Sequence, residues 1–247
     1  MPDSPFGTVA VVVPVLNEAA ALPSVIAGVP DWVRLIVVAD NGSTDGSGAI
    51  ARKLGATVIV EPRRGYGSAC LAALAALPPE IEIIVFMDGD ASDDGSEMAS
   101  LVRPIASGKA DFVLGSRVLG ERERGALTPQ QIFGNWLACL LIRIIWRHRF
   151  TDLGPYRAIR HTALTQLRMA DRDYGWTVEM QVKAVRQGLK LLEVPVRYRR
   201  RIGTSKVSGT VRGVIGAGAK ILYIIFREAL FGGRSRAGGP ANGTTER

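Results

Sequence analysis

Cysteine and histidine are nearly absent. Cys70 and Cys139 are the only thiols, both inside apolar stretches, and His148 and His161 are the only imidazoles. A disulfide scaffold and a Cys/His zinc site are thereby excluded. Aromatic residues make up only 6% of the chain, so stacking platforms for nucleic acid are scarce, and no recognised nucleic-acid motif accompanies the basic residues. No apolar run approaches the ~20 residues of a membrane span. The most apolar late segment, 211–231, is interrupted by Arg212, Lys220, Arg227 and Glu228. No secretory signal is visible, and the expectation is a cytoplasmic protein with reduced thiols. Also missing are a Gly-x-x-x-x-Gly-Lys phosphate loop and a Gly-x-Gly-x-x-Gly after the first strand, which disfavours kinase-like and dinucleotide chemistry.

What is present is a globular composition, with 47% hydrophobic and 22% charged residues in 247, and a net charge of +8. The charge is uneven. Residues 1–111 hold 7 basic and 14 acidic side chains, and residues 112–247 hold 24 basic and 9 acidic. Such a split suggests a cation-binding front half and an anion-binding back half, or simply a solvated basic face.

Short β-branched runs at 9–14, 35–39, 57–60, 83–87 and 112–114 alternate with alanine-rich helical stretches at 18–27, 46–54, 67–77 and 96–107. This pattern predicts a parallel sheet covered on both faces. Right-handed crossovers would bring the strands' carboxyl ends to one edge, where open α/β sheets bind ligands. Asn17-Glu18, Asp40-Asn41 and Asp88-Gly89-Asp90 all fall there. After Arg117 a loop over 118–129 precedes an amphipathic helix at 130–146, a turn at 152–155, a helix at 176–187, a strand at 191–198, a basic loop at 199–209 and a last helix at 211–231. The tail 232–247 reads as disordered.

Asp88 and Asp90, one residue apart at the end of a buried strand, can grip a hard divalent cation; the same spacing also suits an ordinary Asp/Gly turn. Asp93 and Asp94 follow, and carboxylates so crowded favour a cation. Gly65 opens a helix and permits close approach of a ligand to the backbone.

Three segments carry a resemblance: Val12-Val13-Pro14-Val15-Leu16-Asn17-Glu18, the run from Val37 to Ser47 containing Asp40-Asn41-Gly42-Ser43, and Phe86-Met87-Asp88-Gly89-Asp90. They resemble the family-2 inverting glycosyltransferases of GT-A fold, and within them the dolichol-phosphate mannose synthase-like, polyprenyl-phosphate branch. Later segments agree in order: Asp111 to Arg117, Glu193-Val194-Pro195-Val196, and Arg200 to Lys206. The resemblance implies an α/β fold with a mixed, mostly parallel sheet flanked by helices and amphipathic helices toward the C-terminus. It covers about residues 8–210, and the expected organisation is one GT-A domain over 1–231, with a nucleotide-sugar and metal part at 1–115 and an acceptor part at 116–231. Pro14, Asn17, Glu18 and Asp40 would line the base and ribose pocket. Asp88 and Asp90 would hold Mg2+ or Mn2+, Asp90 as the principal ligand. Arg117, Arg200, Ser205 and Lys206 would face the diphosphate and the acceptor phosphate. The chain departs from the family pattern at Asn41, often a second Asp, and at Ser92, often a Gln.

The reaction so implied is transfer of a hexose from a nucleotide-diphosphate sugar, UDP preferred over GDP, to a polyprenyl phosphate. A phosphate acceptor needs no general base; a soluble hydroxyl acceptor, the alternative, would need one, with Asp152 or Glu179 as candidates. A catalytically silent nucleotide-sugar or membrane-docking protein and a nucleic-acid binder are the other classes, and the intact Asp88/Asp90 pair speaks against silence. The helices at 130–146 and 211–231 would lie on a membrane surface as peripheral contacts, their Arg and Lys attracted to anionic lipid, or else pack on the core or on a second copy in a homo-oligomer.

Overall fold

The computed structural model describes residues 4–203 and the helix 211–231. The expected features at Ser205, Lys206 and 232–247 lie outside the described residues. The chain runs β1 (Val9–Val15), α1 (Leu22–Ala27), β2 (Leu35–Asp40), α2 (Ser47–Lys53), β3 (Thr57–Val60), α3 (Tyr66–Ala75) and β4 (Ile83–Phe86). It continues through α4 (Met98–Ala106), β5 (Phe112–Ser116), α5 (Pro129–Trp146), β6 (Arg157–Arg160), α6 (His161–Leu167), α7 (Trp176–Arg186), β7 (Leu191–Pro195) and α8 (Val211–Phe231).

The seven strands form one sheet in the order β3-β2-β1-β4-β6-β5-β7. β1 pairs in parallel with β2 and β4, β2 with β3, and β5 with β7. The two-residue strand period divides the core between the two faces of the sheet. Ala10, Val12, Ile84 and Phe86 pack with α3, α5, α7 and α8 on one face; Val9, Val11, Val13 and Val85 pack with α1 and α4 on the other.

The expected α/β sheet is present, with one correction. The turn expected at 152–155 leads into a strand and a helix that the sequence pattern did not reveal. β6 is antiparallel to both β4 and β5, with Phe86 opposite Arg157 and Leu114 opposite Arg157. It is only four residues long and begins and ends in arginine, so it shows no apolar alternation. Its amino end, not its carboxyl end, therefore meets the ligand-binding edge, and it delivers Arg157 there.

α5 starts with a capping box: the Thr128 hydroxyl accepts the Gln131 N–H at 3.3 Å and Gln131 Oε1 accepts the Thr128 N–H at 2.8 Å, with Pro129 at the first helical position. α8 packs on α5 and α7 through Ile224 and Ile225. Among the described residues, its cations Lys220 and Arg227 turn to protein carboxylates rather than outward as expected of an interface helix. Lys220 pairs with Asp171 at 2.8 Å and Arg227 with Glu179 at 3.1 Å, because buried carboxylates on the α7 side demand counter-charge. Tyr223, Phe226, Leu230 and Phe231 are left exposed instead. Among the described residues, no helix is long and apolar enough to cross a membrane.

Candidate functional site

The ends of β1, β2 and β4 open on a cleft of about 460 Å³. The two loops beside it are laced together. Asn17, with a left-handed φ of 56°, accepts the Thr44 N–H on Oδ1 at 2.7 Å; its own N–H donates to Ser43 Oγ at 2.9 Å. Asp40 Oδ1 accepts the Ser43 N–H at 2.8 Å. Asn17 and Asp40 thus brace the loops behind the cleft, while Pro14, Glu18 and Asn41 line it. Asn41 explains its departure from the family pattern: Nδ2 donates to the Glu61 and Arg63 carbonyls at 2.9 and 2.7 Å, and Oδ1 accepts the Gly65 N–H at 2.8 Å. An aspartate could not donate to two carbonyls.

Gly65 adopts a φ of 135°, and a Cβ there would overlap the Arg172 carbonyl. Its glycine is required by backbone crowding as well as by its place in the cleft wall. Next to it, the Tyr66 hydroxyl donates to Asp88 Oδ1 at 3.1 Å.

The floor is acidic. Asp88 touches the cleft yet is surrounded by protein; burial, then the Asp90 carboxylate, pushes its pKa from 3.8 up to about 7. Asp90 accepts the Ser92 N–H and hydroxyl on Oδ1 at 2.9 and 2.5 Å. Ser92 therefore orients Asp90. Asp93 Oδ2 accepts the Asp88 N–H at 3.1 Å, while its buried Oδ1 has no partner; burial, Asp88 and Asp90 drive its pKa well up. Arg201 reaches this cluster, its Nη2 3.0 Å from Glu18 Oε1 and 3.3 Å from Asp90 Oδ2.

An orphaned carboxylate oxygen and a carboxylate titrating near neutrality mark a floor short of positive charge, and the donors are hard oxygens. A divalent cation fits this set. Among the described residues no three ligands of the Asp, Glu, His or Cys kind are preassembled, so Asp88 and Asp90 would share the cation with substrate phosphate and water, as magnesium-type sites do.

A pH dependence follows. The folded protein holds the Asp88 proton more tightly than the unfolded chain, so this contribution to stability is complete below about 3.8 and is lost as pH rises through about 7. Asp93 acts in the same direction. Between about pH 5.5 and 8 the metal-free protein should lose melting temperature, by about 4–8 °C for a loss of ~2 kcal/mol. Added Mn2+ should flatten the profile. Melting curves across that range check it, and a metal-free profile already flat would contradict the acidic floor.

Arg117, expected at the phosphates, is clamped by Asp152: its backbone N–H and Nε donate to Oδ2 at 2.8 Å each, and Nη2 to Oδ1 at 2.7 Å. Burial works against its charge, but Asp152 outweighs that and raises its pKa. Its guanidinium also stacks over Tyr198, 5.0 Å from the ring centre. Asp152, with Leu153 N–H on Oδ1 as well, is fully engaged as an acceptor. Glu179 is buried against α8 and does not reach the cleft. Arg200 is turned away: its Nε donates to the Arg124 carbonyl at 2.7 Å and its N–H to Glu123 at 2.8 Å. Its neighbour Arg201 enters the cleft in its place.

Sequence reasoning missed Arg64, Tyr66, Tyr174 and Arg201, all in the cleft wall, and Arg157. Arg157 is buried, donating to the Thr177 carbonyl at 3.0 Å and to that of Gly154, and burial lowers its pKa to about 10. The Gly65-Tyr66-Gly67 helix opening was the available signal for Tyr66.

The family model described as glycosyl transferase family 2 matches residues 10–168. An uncharacterized glycosyltransferase of Mycobacterium tuberculosis is 40% identical over 213 residues, 84% of this chain and 93% of that protein. The undecaprenyl-phosphate mannosyltransferase of Micrococcus luteus is 30% identical over 220 residues, 83% of this chain and 88% of that protein. Among solved structures, glucosyl-3-phosphoglycerate synthase from M. tuberculosis, in complex with Mn2+, UDP and phosphoglyceric acid, superposes with a TM-score of 0.74 at 22% identity, covering 91% of this chain and 79% of that one.

Proposed function

The chain belongs to glycosyl transferase family 2, and from that membership we propose that it moves a hexose from a nucleotide-diphosphate sugar to a polyprenyl phosphate. The observation that carries the reading is the acidic Asp88/Asp90 floor of a cleft whose walls supply Arg64 and Arg201. The arginines would bind the donor diphosphate, and Asp88 and Asp90 would hold Mg2+ or Mn2+. When bound, the cation neutralises charge developing on the leaving diphosphate. UDP and Mn2+ occur together in the solved neighbour, so uridine donors come first.

The transfer is one in-line displacement. An acceptor oxygen forms the new bond to the anomeric carbon as the bond to the diphosphate breaks, inverting the centre. A hydroxyl acceptor would need a base, but Asp152 and Glu179, the two carboxylates considered for it, are both held in ion pairs. A phosphate acceptor is already anionic. The apolar rows Ile132, Phe133, Trp136 and Ile144 on α5 and Tyr223, Phe226, Leu230 and Phe231 on α8 remain exposed, with a groove of about 500 Å³ between these helices. Arg143, Arg147 and Arg149 are exposed near Ile144. Such a surface suits an isoprenoid chain and anionic headgroups.

Purified protein given UDP- and GDP-sugars with Mn2+ should release nucleoside diphosphate faster on addition of a short polyprenyl phosphate, and should float with anionic vesicles less as salt rises. Release stimulated only by a soluble hydroxyl compound, with no vesicle binding, would reverse the acceptor assignment.

A further inference from the structure

Glu179 performs a task away from the cleft. Its Oε2 accepts the N–H groups of Ala170 and Asp171 at 3.1 and 2.8 Å, and its Oε1 lies 2.9 Å from Lys183 Nζ and 3.1 Å from Arg227 Nη2. Asp171 in turn meets Lys220 Nζ at 2.8 Å through Oδ2 and accepts the Asp173 N–H at 2.8 Å on Oδ1. Lys220 and Arg227 both belong to α8, so two ion pairs from one helix hold the segment 170–173.

The other side of that segment carries the cleft. The Arg172 carbonyl accepts both the N–H and the hydroxyl of Ser68, at 2.9 and 3.2 Å. Gly65 and Gly67 have no room for a Cβ against the Arg172 and Asp171 carbonyls. Asp173 and Tyr174 line the cleft itself. Tyr66, between the two glycines, holds Asp88. The contacts therefore run without a break from α8 through 170–173 to the start of α3 and the acidic floor. Packing this tight does not deform gradually.

We infer that Lys220 and Arg227 are positioning residues for the donor cleft: by holding Asp171 and Glu179 they fix the segment that seats Tyr66 and hence Asp88. The inference rests on the reading of the cleft as a nucleotide-sugar site. Asp171 and Glu179 are 4% and 0% exposed; losing Lys220 takes the ammonium from Asp171, and losing Arg227 leaves Glu179 with Lys183 alone, so both losses strain buried carboxylates in place. The same helix exposes Tyr223, Phe226, Leu230 and Phe231, which links whatever covers those residues to the geometry of the cleft.

The test compares Lys220→Met and Arg227→Met with Arg186→Met. Arg186 on α7 pairs with Glu228 on α8, whose other oxygen meets Arg227 at 2.8 Å, so it fastens the same two helices one residue further from Asp171 and Glu179. In the free protein, hydrogen exchange at the amides of 65–70 should quicken about tenfold in the first two variants, as expected for local opening, and stay at the parental rate in Arg186→Met. Lys220→Arg should restore it. Calorimetric affinity for UDP with Mn2+, or GDP where that is the nucleotide bound, should fall about fivefold or more in Lys220→Met and Arg227→Met alone, a typical coupling between sites. Unchanged exchange at 65–70, or equal quickening in Arg186→Met, overturns the inference. A parental chain that binds neither nucleotide removes the donor reading, while the exchange result still decides the coupling.

Discussion

Replacing Asp90 with Asn should lower nucleotide release from a sugar-nucleotide donor on the order of 10³-fold, the scale set by removing one fixed stabiliser of developing charge. The asparagine keeps an oxygen for the Ser92 N–H and hydroxyl, which Asp90 Oδ1 accepts at 2.9 and 2.5 Å, so the turn survives. What disappears is one negative charge beside Asp88 and Asp93, and with it one of two carboxylates on Arg201, which keeps Glu18 at 3.0 Å. Both of those carboxyls have raised pKa values partly because Asp90 is there. The variant should therefore melt no lower than the parent in the absence of metal, and the Asp88 pKa should fall. Loss of activity with retained stability is the signature of a site that keeps like charges together for function. Mn2+ should raise the parent's melting temperature and leave that of the variant nearly unchanged. Full turnover in the variant, or in the parent with excess chelator, would end the case for a cation at this floor.

The parts of this fold legible in the sequence are those with a strong period. β1, β2 and β4 are β-branched runs buried on both faces, and they lie where the runs stand in the chain. β6 was illegible because its two arginines mask it; Arg157 is tolerated in the interior because the carbonyls of Gly154 and Thr177 accept its N–H groups, and Thr177, on α7, becomes a neighbour only through folding. In the site, Asp88 and Asp90 could be picked out by their place after a buried strand. Arg200 and Arg201 could not be told apart, since adjacent residues of an extended segment point to opposite sides. The Ile202 N–H on the Asp90 carbonyl at 2.9 Å and Arg199 on Asp94 at 2.5 Å fix the register that turns Arg201 inward. Asn17 and Asp40 lie at the expected edge, yet Asp40 turns to the Ser43 N–H of its own loop and Asn17 to the Thr44 N–H of the neighbouring one; the second contact is invisible without the fold that brings the two loops together.

The Arg117–Asp152 pair separates a brace from a base. Replacing Asp152 with Ala should destabilise the protein by ~3–5 kcal/mol, because the Arg117 guanidinium is left with little solvent and no counter-charge. In a domain of this size that corresponds to roughly 6–20 °C in melting temperature. The side chains are 12% and 1% exposed, and Asp152 also anchors the Leu153 N–H at 2.8 Å, so relaxation toward water is restricted. Replacing both partners, Arg117→Met with Asp152→Leu, should recover much of the loss, since an apolar pair of similar volume often substitutes for a buried ion pair. Activity should behave otherwise. If Asp152 serves only to aim Arg117 at a phosphate, Arg117→Met alone and the double variant should be equally slow. If Asp152 removes a proton from a hydroxyl acceptor, Asp152→Asn should be far slower than Arg117→Met, which keeps the carboxylate. The double-variant cycle, read by melting and by turnover in parallel, distinguishes the two, and a melting temperature unchanged in Asp152→Ala would show that the pair carries no structural load.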